Sequence, residues 1–427
     1  MSARRTEIRL LLEGVDISTD ISHYLLSMTY TDNEEDKTDD LQLSLEDRGW
    51  VWLGDWLNGD ISTAGTQEKT DGWKIGDEVI VNGRPQYSSY GNGTPGATLS
   101  NYRGKITYLN LKSGIPYPIH VDQKGWFAES QVTKATEAET KTNGIKGAEI
   151  SAVIIQRNWE STGRDRALDC GTFEVDTING SGPPSKVTIK ASSIPCKTTA
   201  RTQKKTKAWE KIKLSVIANE IAGANGLSCM FESSSDPFYD RKEQMQESDI
   251  TFLQRLCKDA GISLKVTAKM IVLFDTADYE QKDAVVAITR GAANVSRWSF
   301  STSLHDTAFS SCHVSYTDPK SQTTIEYTYT PRDDNKGGQV LEINEKVSTR
   351  EEARQLAMKR LRQKNKEEYK ASFSLSGDTR LVAGVTVEVA GYGAFDGKYI
   401  IETATHTVSK SGGYKTDITL RRVLEGY

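Results

Sequence analysis

The sequence predicts a mainly β chain in which a smaller α/β region lies between β regions. Short segments such as Glu7–Leu12 and Leu41–Leu45 alternate apolar and polar residues, as half-buried strands do. Helical periodicity is confined to a few stretches, of which the one between Ser248 and Gly261 is the clearest. The mean hydropathy of -0.53 and the 26% of charged residues suit many short β elements with exposed faces.

Length, charge and cysteine content limit the number of domains and the classes of function. The 427 residues suffice for two to four domains of roughly 100–200 residues each. The formal net charge of -4 argues against sequence-specific nucleic-acid binding. The five cysteines are odd in number and widely spaced, so we expect reduced thiols and no zinc site. No segment approaches the roughly 20 apolar residues of a membrane span, and we expect the chain to be made in the cytoplasm.

The first 200 residues predict strands interrupted by a segment of different composition. Alternation predicts strands at Ile150–Trp159, Leu168–Asn179 and Lys186–Ala191. Residues 84–133 are rich in Tyr and Gly, and we interpret them as an insertion into the first domain. Residues 134–147 have the Lys, Thr, Glu and Gly bias of a linker.

Three helices are predicted in the rest of the chain. Apolar spacing predicts the first over Lys207–Ala222. In the second, Ser248 is the expected N-cap and Gly261 the left-handed C-cap, and a β-hairpin of Ile262–Val266 and Met270–Phe274 follows. The third, over residues 348–367, is opened by a capping box of Ser348 and Glu351.

One motif carries a resemblance to a known family. Its residues are Gln244, Glu247, Ser248, Asp249, Phe252, Leu253, Leu256 and Gly261, followed by the strand pair. In this order they resemble the late control D family, the hub proteins of contractile phage tails, to which the valine-glycine repeat proteins of type VI secretion are related. Residues 169–176 with Gly182-Pro183-Pro184 resemble the Gram-positive branch of these hubs. Gly104, Pro116-Tyr117-Pro118 and Gly125-Trp126-Phe127 make the insertion similar to a small bacterial SH3-like module.

The resemblance implies two hub-type β-barrel domains with an α/β domain between them. The expected bounds are 1–83 with 148–193 for the first barrel, 84–133 for the insertion, 134–147 for the linker, 194–275 for the α/β domain and 276–427 for the second barrel. The eight motif residues would then be structural.

The resemblance also implies a function, which is that of a structural baseplate hub. Such a hub is a homotrimeric ring with a central channel, and it joins the sixfold tail tube to the threefold central spike. Its expected partners are the tail tube protein, the spike, the tape measure protein and other baseplate proteins of the wedge or LysM type. We expect it in the baseplate of a phage tail or a phage-tail-like bacteriocin, assembled in the bacterial cytoplasm and released by lysis. Two alternatives stay open, a tail-associated cell-wall-binding protein and a type VI secretion spike subunit.

A search for chemistry in the sequence yields no catalytic, metal or cofactor site. No glycine-rich loop has the lysine and following helix of a nucleotide site, and GxSxG is absent. We therefore expect no enzyme activity, and we expect the acidic turn at Asp39-Asp40 to be solvated. The insertion offers a possible partner or glycan surface. Its residues are Tyr87, Tyr90, Tyr102, Tyr117, Trp126 and Phe127. Cell-wall binding and docking of another baseplate protein are both compatible with it.

Overall fold

The fold is seen in a computed structural model. It describes residues 3–35, 37–48, 52, 73–91, 98–110, 112, 114–122, 124–134, 147–193, 203–303, 307–318, 322–331, 338–424 and 426. The chain divides into a smaller unit, Gly65–Thr142, and a larger unit, Met1–Ala64 with Asn143–Tyr427. Residues 135–146 of the predicted linker and the start of the predicted α/β domain, at 194–202, lie outside the described residues.

The first half of the chain is built almost entirely of strands. It begins with β1 (Arg5–Leu12), β2 (Val15–Asp16), α1 (Ser18–Ser22), β3 (Leu25–Asn33) and β4 (Asp40–Glu46). The smaller unit contains β5 (Glu78–Gly83), β6 (Leu99–Leu109), β7 (Ile119–Val121), β8 (Gly125–Phe127) and β9 (Val132–Lys134). The larger unit resumes with β10 (Glu149–Ser161), β11 (Arg164–Ser181) and β12 (Lys186–Ser192).

Helices and strands alternate in the middle of the chain before strands return. The middle part comprises β13 (Lys205–Lys213), α2 (Leu214–Ala224), β14 (Ser228–Glu232), β15 (Phe238–Glu247), α3 (Asp249–Ala260), β16 (Ser263–Val266), β17 (Met270–Phe274) and α4 (Thr276–Glu280). The last part comprises β18 (Val286–Thr289), β19 (Val295–Thr302), β20 (Phe309–Thr317), β21 (Thr324–Tyr329), β22 (Gln339–Ile343), α5 (Arg350–Asn365), β23 (Tyr369–Ser376), β24 (Thr386–Ala390), β25 (Gly397–Ser409) and β26 (Gly413–Arg422).

One large sheet runs through the larger unit. Within the described residues it has 13 strands, in the order β19-β23-β26-β25-β3-β4-β12-β11-β10-β1-β2, with β24 and β18 branching from β25. Two separate hydrophobic cores lie along it, one around Leu43 and Phe173 and the other around Phe373 and Tyr399. The predicted mainly β fold is confirmed, and we call the two parts of the sheet built around these cores the first and second β domains.

We call the part of the chain from β13 to β17 the middle domain. Of the two helices predicted there, one is confirmed, and the prediction of the other is wrong in its first half. Helix α3 begins after Ser248, whose hydroxyl accepts a hydrogen bond from the Thr251 amide, and it ends at Gly261 with φ 64°. The helix predicted over residues 207–222 is instead β13 followed by α2. Residues 205–213 pair in antiparallel register with β15, some 30 positions later, and local spacing cannot reveal such a partner. Helix α2 begins only where Asp236 accepts bonds from the amide and hydroxyl of Ser215.

Helix α5 packs on the sheet β21-β20-β22 and builds a further core around Cys312 and Leu361. Its N-cap is Thr349 rather than the predicted Ser348, because the Thr349 hydroxyl accepts the Glu352 amide at 3.1 Å. The Glu352 carboxylate in turn accepts the Ser348 amide at 2.7 Å, so the box is displaced by one residue. Strand β22 was not expected from the sequence.

The smaller unit is a five-stranded sheet in the order β8-β7-β6-β5-β9. Its core includes Val79 and Val81 of β5, both fully buried, together with Ile106, Val121 and Phe127. Strand β5 therefore belongs to this unit, and the predicted boundary at residue 83 is corrected to an earlier position. The unit that β5 joins is decided by its pairing with β6 and β9, which the local sequence of β5 does not reveal.

This boundary predicts the result of two deletions. Replacement of residues 65–142 by a short Gly/Ser linker should leave the larger unit folded, because closing a loop of different length changes the free energy little. Replacement of only residues 84–133 should expose Val79 and Val81 and promote aggregation. Thermal melting and light scattering of both variants test this. A soluble 84–133 deletion with an unchanged melt, beside an aggregated 65–142 deletion, would contradict the corrected boundary.

Candidate functional site

The two β domains are joined by a direct strand pairing. Strand β25 is 13 residues long, and its second half pairs with β3 from Thr403↔Asn33 to Ser409↔Ser27. A bulge between Ile401 and Thr403 separates this half from the part that pairs with β24. The backbone ladder therefore continues from one core to the other without interruption.

Buried polar side chains support this pairing. His406 of β25 is fully buried, its Nε2 lies 2.9 Å from the Leu381 carbonyl, and its Nδ1 lies 2.7 Å from the Tyr414 hydroxyl. Burial lowers the pKa of His406 below its ordinary value, which favours the neutral imidazole. Gln156 of β10 is also fully buried, and it donates to the Gly377 carbonyl and accepts from Thr379.

Part of the acidic segment around the turn between β3 and β4 is buried, which corrects the prediction of a solvated turn for Asp39, whereas Asp40 is exposed. Asp32, Glu34 and Asp39 are each at most 6% exposed. Lys265 of β16 places its ammonium 2.7 Å from Asp32 and 3.2 Å from Asp39. Burial raises the pKa of Asp39 to about 6, and Lys265 offsets part of that effect. The turn thus ties the middle domain to the first β domain.

Arg421 of β26 lies at the centre of the charged groups and is 1% exposed. Its guanidinium bonds Glu280 of α4 and lies 3.3 Å from Glu34 and 3.7 Å from Glu402. Arg362 of α5 contacts the other oxygen of Glu280 at 2.7 Å.

We call these groups, with their neighbours, the buried ion network. Its members are Asp32, Glu34, Glu35, Asp39, Lys265, Glu280, Arg362, Lys366, Lys370, Glu402 and Arg421. They come from both β domains, from the middle domain and from α5. At the C-terminal end of α5, the basic side chains of Arg362 and Lys366 each pair with a carboxylate of this network.

The buried ion network predicts that the stability of a Glu34→Gln variant differs from that of the unmodified chain in a pH-dependent way. Burial raises the pKa of Glu34 to about 7 from its ordinary 4.5, and Arg421 offsets part of the rise. A raised pKa means that the stabilising contribution of Glu34 is complete below pH 4.5 and is lost as the pH rises through 7. The variant Glu34→Gln should therefore match the unmodified chain near pH 4 and be more stable at pH 8. Urea unfolding across this range measures the difference.

A surface carboxylate provides the control for this experiment. Glu388 on β24 is exposed, and Glu388→Gln should follow the profile of the unmodified chain. A Glu34→Gln variant that is less stable than the unmodified chain at pH 8 would show that the ionised carboxylate is net stabilising.

The eight motif residues lie at the end of β15, at the two ends of α3 and along its buried face. Asp249 accepts bonds from Gln244, Asn225 and Lys205 at 3.0, 3.0 and 2.5 Å. Glu247 pairs with Arg255 at 2.5 Å. Phe252, Leu253 and Leu256 are fully buried. A Cβ at Gly261 would stand 2.9 Å from the side chain of Lys359 on α5, so this C-cap also allows a close approach of two helices.

The aromatic residues predicted as a surface on the insertion have different positions in the smaller unit. Tyr87 and Tyr90 are 67% and 64% exposed, whereas Phe127 is fully buried. Phe127 is therefore a core residue, because it lies opposite Ile119 in a strand whose alternate residues face inward. Trp126, its neighbour, faces the other way and is half-buried. The remaining two are also half-buried, and Tyr117 packs where a Cβ at Gly91 would stand 2.9 Å from its ring.

The sequence-based selection missed two residues on the side of the β6-β7-β8 sheet that faces away from the core, which we call the outer face. Tyr108 on β6 is 63% exposed and His120 on β7 is half-buried, and β7 lies between β6 and the strand of Trp126. Period-two alternation around Tyr108 and His120 hinted at their outward direction. The register that aligns them could not be read from the sequence.

The described residues show few signs of small-molecule chemistry. They contain no group of three or more His, Cys, Asp or Glu side chains placed to hold a metal ion. Cys170, Cys229 and Cys312 are free thiols, and Cys196 lies outside the described part. None of the helices in the described ranges is long and apolar enough to cross a membrane.

Comparison with known proteins assigns this mainly β chain to a family. A family model described as phage tail baseplate hub (GPD) matches residues 195–412, just over half of the chain. This chain belongs to the family of phage tail baseplate hubs.

Solved structures share its fold at low sequence identity. The 43 kDa tail protein of prophage MuSo2 from Shewanella oneidensis is 15% identical, with a TM-score of 0.53 over 97% of this chain and 98% of that one. A tail protein from Neisseria meningitidis MC58 is 8% identical, with a TM-score of 0.57 over 98% and 97%. These two likenesses concern the fold. No match was found among curated protein sequences.

Proposed function

We propose that three copies of this chain form a ring in the baseplate of a contractile tail. The ring would join a sixfold tail tube on one side to a threefold central spike on the other and leave a central channel. The single observation that carries this proposal is the sheet that continues through two β domains by the pairing of β25 with β3. Each chain then offers two β domains side by side, so three chains present six.

The two edge strands of this sheet, β19 and β1, offer contacts for assembly of the ring. In the described part of the chain, β19 pairs only with β23, and the outer edge of β1 along Arg5–Arg9 has no strand partner. Open edges invite pairing with another chain. Three copies that pair edge to edge would close a ring, as closed symmetry requires of repeated identical contacts.

Exposed aromatic side chains at the β19 edge of the sheet also favour contact with another protein chain. Trp298 of β19 is 48% exposed, and its ring lies 5.8 Å from Phe300 and 5.3 Å from Tyr392. Aromatic residues are enriched at the centres of protein interfaces. The edge strand and this cluster together suit a second protein chain, and the role proposed for the ring is structural rather than catalytic.

A substitution at the edge tests the ring. The purified chain should have three times the monomer mass in light scattering, and Trp298→Lys should reduce that mass because a lysine on an edge strand opposes pairing. Val216→Lys is the matched control, since Val216 is 49% exposed and lies on helix α2 rather than on an edge strand of the large sheet. A chain that stays monomeric at every concentration would contradict the proposed ring. A trimeric Trp298→Lys variant would show that the β19 edge is not the contact between the copies.

A further inference from the structure

The outer face of the smaller unit carries a row of three rings. Tyr108 of β6 lies opposite His120 of β7, which lies opposite Trp126 of β8. The ring centroids are 5.5 and 5.1 Å apart, and neighbouring rings meet edge to face at 71° and 68°. Cross-strand neighbours of this kind project from the same face of a sheet. The rings therefore form one continuous strip.

This strip is not needed to build the core of the unit. The opposite side of the sheet is filled by fully buried aliphatic residues and Phe127. Tyr108 remains 63% exposed, although it is a large ring that a small domain could have buried. A bulge between Ile106 and Tyr108 turns Thr107 outward as well, where its hydroxyl lies 2.6 Å from His120 Nδ1.

A shallow open depression of about 730 Å³ adjoins the strip. It is lined by Tyr102, Thr107, Tyr108, Asp122 and Lys124. The Tyr102 hydroxyl donates to Asp122 Oδ2 at 2.9 Å, and the Lys124 ammonium stands 5.3 Å from the centroid of the Tyr102 ring. Two tyrosine rings thus border a floor of hydroxyl and carboxylate groups.

The local backbone is arranged to hold that carboxylate in place. Asp122 has a φ of 45°, and its Oδ1 accepts the Lys105 amide at 3.1 Å. A Cβ at position 104 would stand 2.3 Å from Asp122 Oδ2, so only glycine fits there. The polar floor is therefore positioned before any ligand arrives, and preorganisation of this kind favours binding.

The charge of the face limits what it can bind. Asp122 and Lys124 carry opposite charges, and burial lowers the pKa of His120, which favours its neutral imidazole. A face without net charge lacks the cations that nucleic acids require. Apolar ring faces beside fixed polar groups match sugar rings, whose faces are apolar and whose edges carry hydroxyls. An open strip admits a chain, whereas small-molecule sites are enclosed.

We propose that Tyr108, His120 and Trp126, with Tyr102 and Asp122, bind a neutral, hydroxyl-rich polysaccharide. Polysaccharide binding goes beyond the structural role that we propose for the trimeric ring. It also relocates the surface expected from the sequence away from Tyr87 and Tyr90 and onto the strip.

Co-sedimentation of the full chain with insoluble chitin and with purified peptidoglycan sacculi tests the proposal. The double variant Tyr108→Ala, Trp126→Ala should lose affinity about tenfold or more, because each lost ring removes a stacking surface. Tyr87→Ala, Tyr90→Ala is the matched control, since it removes two exposed tyrosines of the same unit and should bind as the unmodified chain does. Light scattering and melting curves of every sample report ring formation and folding separately.

A milder variant guards against a folding defect. Asp122→Asn keeps the size of the side chain, and asparagine tolerates the left-handed backbone, so weaker binding with an unchanged melt would support the polar floor. Retention on either polysaccharide that depends on Tyr108 and Trp126 supports the proposal. It is overturned if neither polysaccharide retains the chain, if the double variant binds as well as the control, or if only a single-stranded oligothymidine probe depends on the strip.

Discussion

Replacement of Arg421 by methionine should lower the free energy of unfolding by about 3–5 kcal/mol. The guanidinium is 1% exposed and holds Glu280 and Glu34 in a region from which water is excluded. Methionine fills a similar volume but removes the cation beside Glu34 and leaves Glu280 with Arg362 alone. Removal of one partner of a buried ion pair is costly for that reason, even where replacement of the whole pair is not. Urea denaturation at pH 7 measures the change.

Two further variants make this test specific. Lys415 lies on the same strand, is exposed, and should tolerate replacement by methionine within about 0.5 kcal/mol. Addition of Glu34→Gln to Arg421→Met should recover part of the loss, because one of the uncompensated carboxylates is then neutral. A loss below about 1 kcal/mol for Arg421→Met would mean that water or rearrangement compensates the buried charges.

The variants Phe252→Ala and Leu256→Ala should each lower the free energy of unfolding by about 2–5 kcal/mol. Both side chains are fully buried on α3, and the Phe252 ring stacks on Trp209 with centroids 6.0 Å apart. Truncation to alanine removes apolar contacts and leaves a cavity that the surrounding elements fill only in part. Thermal or urea unfolding of each variant measures the loss.

Val216→Ala on α2 is the matched control for these truncations. Val216 is 49% exposed, so its truncation should change the free energy of unfolding by less than about 0.5 kcal/mol. If Phe252→Ala behaved like this control, the motif helix would have to bury a different face from the one described.

The buried ion network has a consequence for the proposed assembly. It brings together β3, β16, α4, α5 and β26, which belong to different domains of the larger unit. In some proteins, buried ion pairs select one arrangement of the chain rather than add to its stability. A ring that must match a tube and a spike requires domains held in one relative arrangement, and this network together with the β25–β3 pairing would supply it.

Sequence reasoning succeeded where the controlling contacts are local. Helix α3 has its cap at Ser248, its left-handed end at Gly261 and its apolar face within a dozen residues, so its bounds followed from the sequence. It failed at Lys207–Lys213, where the polar and apolar spacing also fits a helix. There the strand β15, distant in the chain, decides in favour of β structure.

The candidate sites were harder to predict from the sequence than the fold was. The acidic turn was expected to be solvated, because a run of carboxylates in a sequence normally faces water. Its partners Lys265 and Arg421 lie more than 200 positions away along the chain, and only the folded arrangement brings them together. In the same way, Phe127 and Trp126 are adjacent in sequence, yet one lies in the core and the other on the surface.

The sequence by itself determined the mainly β class, the capped helix α3 and the resemblance to baseplate hubs, because alternation, capping and residue order are properties of neighbouring positions. The tertiary structure alone decided which unit β5 joins, that β25 and β3 make one sheet of two domains, and which charges are buried. It also decided which rings align on the smaller unit. The physical reason is that strand register and the burial of charge depend on contacts between distant residues, such as the 387 positions that separate Glu34 from Arg421.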